Sequence, residues 1–80
     1  MAQLGGVYRG VVINNADPQG DGRVQVRLPG MPMGGSAWAP VCAALGAPRN
    51  TAGPSIGSDV VVAFENGSAD HPIVLGVIQG

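Results

Sequence analysis

Eighty residues make one domain or a fragment of one, too few for two independent cores. The chain is 45% hydrophobic but only 11% charged, against a usual charged share of ~25%, with no lysine and a net charge of −1. This excludes a disordered chain, which could not bury so much apolar surface, and a basic surface that would draw nucleic acid or anionic lipid.

A domain this small buries only roughly 60% of its unfolded surface. So few surface charges suit a free monomer poorly, and much of the surface is expected to meet other protein. The start, Met1 to Gly6, has neither the positive flank nor the apolar run of a signal peptide. No apolar run approaches the ~20 residues of a membrane-spanning helix. The chain is therefore expected to fold in the cytoplasm.

Period-two patterning dominates, and it predicts five strands, near residues 6–14, 22–29, 37–43, 59–65 and 71–78. The first is rich in β-branched residues, and Gly10 in its middle suggests a bulge or sharp bend. Asn14 to Gly22 stacks Asn, Asp, Pro and Gly into a turn. The second strand alternates Val24, Val26 and Leu28 with Arg23, Gln25 and Arg27, the pattern of a half-buried strand. Pro29 to Ser36 is a loop broken by two prolines and three glycines. Pro40 makes the third strand an edge or bulged one. Cys42 reads as a small buried hydrophobe, and a helical turn is possible near Ala43–Leu45. Leu45 to Ser58 is a long irregular connection. Asn66-Gly67 is a strong hairpin signal between the fourth and fifth strands.

The last two strands are apolar on both faces. Val60, Val62 and Phe64 point one way and Val61 and Ala63 the other; in the fifth, Ile73, Leu75 and Val77 oppose Val74, Gly76 and Ile78. A sheet over one core needs only one apolar face, and no helix is available to cover the second. Val61, Ala63, Val74 and Ile78 are therefore the expected contact with a partner chain.

Sites of chemistry are scarce. His71 is the lone histidine, so no histidine cluster or triad can be assembled, and Asp70-His71 reads as a solvated turn pair. Asp17 and Asp21 are too few carboxylates for a calcium loop. The glycine clusters open no helix and carry no Lys-Ser/Thr, so they are not phosphate loops. No catalytic, cofactor or metal residue is assigned, and no enzyme is expected.

Five short strands with Gly-rich turns fit a small closed barrel, for which the OB-fold is the five-stranded solution. Asp17-Pro18 followed by Gly22-Arg23-Val24-Gln25-Val26-Arg27-Leu28-Pro29 resembles the start of the OB domain in baseplate hub and spike proteins of contractile phage tails, and in VgrG-type spikes of type VI secretion. Trp38-Ala39 is similar to the family's pattern before its third strand. Pro54, Gly57, Asp59-Val60, Val62, Phe64 and Gly67 keep the spacing of its later block, as do Asp70, Pro72-Ile73-Val74 and Gly76. The likeness runs over about residues 6–78 of a single domain, 1–80. One departure is Gly67-Ser68-Ala69, where the family often has Gly-Asp-Pro. Family members usually continue into a lysozyme domain or a trimeric β-helix needle. A barrel alone reads either as a minimal adaptor or as the collar of a longer spike.

The resemblance implies a mechanical role: a homotrimeric collar joining tail tube to tip, built with other tube, baseplate and spike proteins into a virion tail or phage-like secretion particle after synthesis in the bacterial cytoplasm. The competing reading is an OB module gripping single-stranded nucleic acid or a glycan on the face carrying Arg23, Gln25, Arg27 and Trp38, by fold analogy alone. The low positive charge and scarcity of stacking aromatics weigh against nucleic acid.

Overall fold

The computed structural model describes residues 5–29, 38–48 and 53–79. Four strands form one antiparallel sheet: β1 (Tyr8–Asn14), β2 (Gln25–Arg27), β3 (Asp59–Phe64) and β4 (Pro72–Val77). Their order is β2-β1-β3-β4. β1 serves two neighbours with different stretches of its length. Tyr8 to Val11 pair with Val62 to Asp59, while Val11, Val12 and Asn14 pair with Arg27, Val26 and Gln25.

The predicted third strand takes a different form. Its first residue, 37, lies outside the described residues, as does most of the loop before it, and the remainder makes only two single-residue bridges. Ala39 pairs antiparallel with Val24, beside β2, and Val41 pairs parallel with Val74 of β4. Four backbone hydrogen bonds of 2.7–3.0 Å carry these bridges. The segment thus ties the two edges of the sheet together without a continuous ladder. Pro40, between the bridges, has no N–H to give to a neighbouring strand. The result is an all-β, small OB-like fold.

The inward residues form one apolar cluster: Val12, Val24, Val26, Leu28, Ala39, Val60, Val62, Phe64 and Val74. Each valine or leucine so buried contributes about 1.5–3 kcal/mol. Tyr8 closes one end, edge-on to Phe64 with ring centroids 5.4 Å apart. Gly10 is required by close approach. A Cβ there would lie 2.9 Å from Leu28 Cδ2 and 3.3 Å from the Arg27 carbonyl oxygen. The bulge expected at Gly10 occurs instead between Val12 and Asn14, leaving Ile13 without a partner in the register with β2.

The hairpin after β3 is longer than a two-residue turn. Asn66 and Gly67 do take positive φ, 53° and 72°. They sit in a 3-10 turn, Glu65–Gly67, closed by the Ser68 N–H on the Glu65 carbonyl, and a second turn follows from Ser68 to His71. Cys42, expected to be buried, is exposed, because Val41 faces the core and the chain turns away after it. In place of a helical turn at Ala43–Leu45 there is a tight turn, with Ala47 N–H bonded to the Ala44 carbonyl.

Candidate functional site

Cross-strand pairing sets the outer face of β1, β3 and β4. Arg9, Val61 and Gly76 lie in one row, Ala63 pairs with Ile73, and Val11 pairs with Asp59. Ile78 joins the Asp59 row by donating its N–H to the Asp59 carbonyl. Val61, Ala63, Ile73 and Ile78 are half-buried on this face. Arg9 and Asp59 form a loose ion pair of 3.9 Å across the strip.

Three of the four residues expected on this face are there: Val61, Ala63 and Ile78. Val74 is not. It is fully buried in the core, opposite Val62. The cause is a register shift. Val61 pairs with Gly76 and the next residue, Val62, with Val74, so Leu75 is an extra residue in β4. That residue reverses the alternation. Ile73, assigned by period two to the opposite set, therefore takes the outer place beside Ala63. A single-sequence pattern carries no mark of such a bulge when every residue around it is apolar.

The outer face of β2 is polar, and Arg23 of the expected ligand face is occupied by its own chain. Asp17 turns its carboxylate inward, with its side chain only 2% exposed. Its two oxygens accept bonds from Arg23 Nε at 2.9 Å and Nη2 at 2.8 Å, and from the backbone N–H groups of Gln19, Asp21 and Arg23. The two-pronged bond from Arg23 holds the Asp17 carboxyl far below the usual carboxylate range; the backbone bonds add to this and burial opposes it. Asp17 in turn raises the affinity of the Arg23 guanidinium for its proton. That guanidinium lies 5.9 Å from the centre of the Trp38 ring, so the β1–β2 turn, β2 and the start of the bridging segment meet at one arginine. Gln25 accepts a hydrogen bond from Asn14, and Arg27 is exposed. The Asp-Pro and Gly-Arg-Val spacing was the legible signal for this cluster, but turn propensity alone gave Asp17 no partner.

Among the described residues no group of three or more His, Cys, Asp or Glu could hold a metal ion. Likewise, no helix is long and apolar enough to cross a membrane.

No curated protein matches the chain. One protein family does, and its pattern covers residues 8–78, from the first residue of β1 to just beyond β4. The matched stretch holds the Asp17–Arg23 turn, the bridging segment and the β3–β4 hairpin. The family's role is a structural, baseplate-type one. The chain belongs to this family, the type VI secretion system/phage-baseplate injector OB domain.

Proposed function

We propose that the chain forms an oligomeric collar, closed by three-fold symmetry, that links tail tube to tip in a contractile phage tail or a phage-like injection or secretion machine. In this role it works by shape and symmetry matching, with neighbouring tube, baseplate and spike proteins docked to it. The supporting observation is the outer strip of Val61, Ala63, Ile73 and Ile78, four apolar side chains on the sheet face turned away from the core. Fully burying a side chain of this type gives about 1.5–3 kcal/mol. These are already half covered, so each adds only part of that, and several subunits must share the face to outweigh the cost of association. The three-fold order comes from the family's architecture; the residues themselves ask only for a partner.

Light scattering at tens of micromolar tests the reading. The wild type is expected to run as a trimer. Val61→Asp, which puts a charge that must be desolvated into the apolar strip, should reduce it to folded monomer. Gln25→Asp, on the polar face, should leave the trimer intact. Val74→Asp should instead unfold the subunit, because Val74 lies in the core. A monodisperse wild-type monomer would overturn self-assembly.

A further inference from the structure

The two edge strands of the sheet, β2 and β4, are spanned by one short segment, Trp38 to Cys42. Its hold is thin. On the β2 side, Val24 and Ala39 exchange backbone hydrogen bonds, the Val24 N–H donating at 3.0 Å and the Ala39 N–H at 2.7 Å. On the β4 side, Val74 donates its N–H to the Pro40 carbonyl and accepts from the Cys42 N–H, both at 2.9 Å. Between these bridges the pairing changes from antiparallel to parallel, so no ladder runs through the segment. Ala39 is fully buried, Trp38 and Val41 are half-buried, and Pro40 and Cys42 are exposed. Few buried apolar contacts and no ladder are the marks of a unit that opens below the global unfolding free energy. Beneath it lie Val24 and Val74, both wholly buried. The pairings of β1 with β2, of β1 with β3 and of β3 with β4 use none of its residues.

One further contact holds the segment. The Arg23 guanidinium lies 5.9 Å from the centre of the Trp38 ring. It is not free to swing away, because Nε and Nη2 are both bound to Asp17. The Arg23 side chain is only 26% exposed, and a cation withdrawn from water is attracted to an indole ring more strongly than one at an open surface. We propose that Trp38–Cys42 is a strap that opens and closes as a unit over both edges of the sheet, and that Asp17, acting through Arg23 on Trp38, is its latch. Asp17 is then a positioning residue, aiming the guanidinium at the ring. Closed, the strap occupies the N–H and C=O groups of Val24 and Val74, which bare edges would offer to another chain. The device is separate from the self-assembly described above, which uses the outer face.

Residue-resolved hydrogen exchange on the whole chain tests it. The amides of Val24, Ala39, Cys42 and Val74 all donate across the strap. In the wild type they are expected to share one opening constant and to exchange about ten-fold or more faster than the amides bonded between β1 and β3. Trp38→Leu keeps apolar bulk but removes the ring face, and should speed the four strap amides by about ten-fold. Trp38→Phe, a weaker partner for a cation, should fall between. Asp17→Asn should speed the same four amides as much as Trp38→Leu does, and the double variant no more than either alone. A merely structural loss at the β1–β2 turn would not speed them, because that turn persists when the strap opens. Strap amides as slow as those between β1 and β3 would overturn the strap. Strap amides unmoved by Asp17→Asn, or effects that multiply in the double variant, would overturn the latch.

Discussion

Asp17 is the residue on which the β1–β2 turn depends. Its carboxylate accepts five hydrogen bonds, three of them from backbone N–H groups of the loop. Asparagine at this position would keep one acceptor oxygen and lose the charge that binds Arg23 bidentately. Asp17→Asn is therefore expected to lower the melting temperature at neutral pH. The pH dependence has a defined sign. In the folded state the Asp17 pKa is depressed, while in the unfolded chain it returns to about 3.8. Near and below that value the unfolded chain takes up the proton first. The stabilisation is complete above about pH 5 and is lost as the pH falls. The gap in melting temperature between wild type and Asp17→Asn should thus narrow from pH 5 to pH 2.5, as followed by circular dichroism. A constant gap would show that the charge of Asp17 is not what holds the turn.

Among the elements, the hairpin between β3 and β4 offers the sharpest contrast between neighbouring positions. Gly67 holds φ 72°, which costs a residue with a Cβ about 1–2 kcal/mol, and a β-branched one more. Ser68, next to it, is extended at φ −84°, ψ 123°, where valine is at ease. Gly67→Val should lower the melting temperature clearly more than Ser68→Val, and equal effects would refute this geometry. The same hairpin shows what the sequence could and could not disclose. Asn66-Gly67 announced the turn, because few other residues tolerate two successive positive φ values. The second turn, from Ser68 to His71, has no such chemical requirement and was not legible. Strands with one polar face, such as Arg23 to Leu28, declared their inward residues. β4 did not: with apolar residues on both sides of Leu75, either register reads equally well. Trp38 and Arg23 were visible as a possible ligand face, and their union through Asp17 emerged only once the turn between them had a shape. The outer strip was legible as surplus apolar surface, and its membership only in part.

For the whole molecule, the strand order matters more than any one contact. β1 lies at the centre of the sheet, yet one of its neighbours, β3, comes from the far side of the long connection, and β4 follows later still. Only the β1–β2 pairing joins strands that are consecutive across a short turn apart from the terminal hairpin. A two-stranded hairpin is at best marginally stable alone. The core residues Val60, Val62, Phe64 and Val74 all lie beyond residue 58, in β3 and β4. During synthesis, then, the first fifty-odd residues have only the β1–β2 pairing and the bridge from Val24 to Ala39, and lack the β3 and β4 half of the core. β1 waits with one edge bare until β3 emerges, and the bridge at Val41 waits for Val74. A chain cut after Asn66 keeps β3 but lacks β4 and the bridge at Val41; it should remain unfolded by circular dichroism, and a cooperative melting transition in that fragment would refute the argument. Distant pairings of this kind are slow to find. The sheet is therefore completed late, nearly all at once, as β4 leaves the ribosome, and an apolar chain with little charge spends that interval in need of protection from its neighbours.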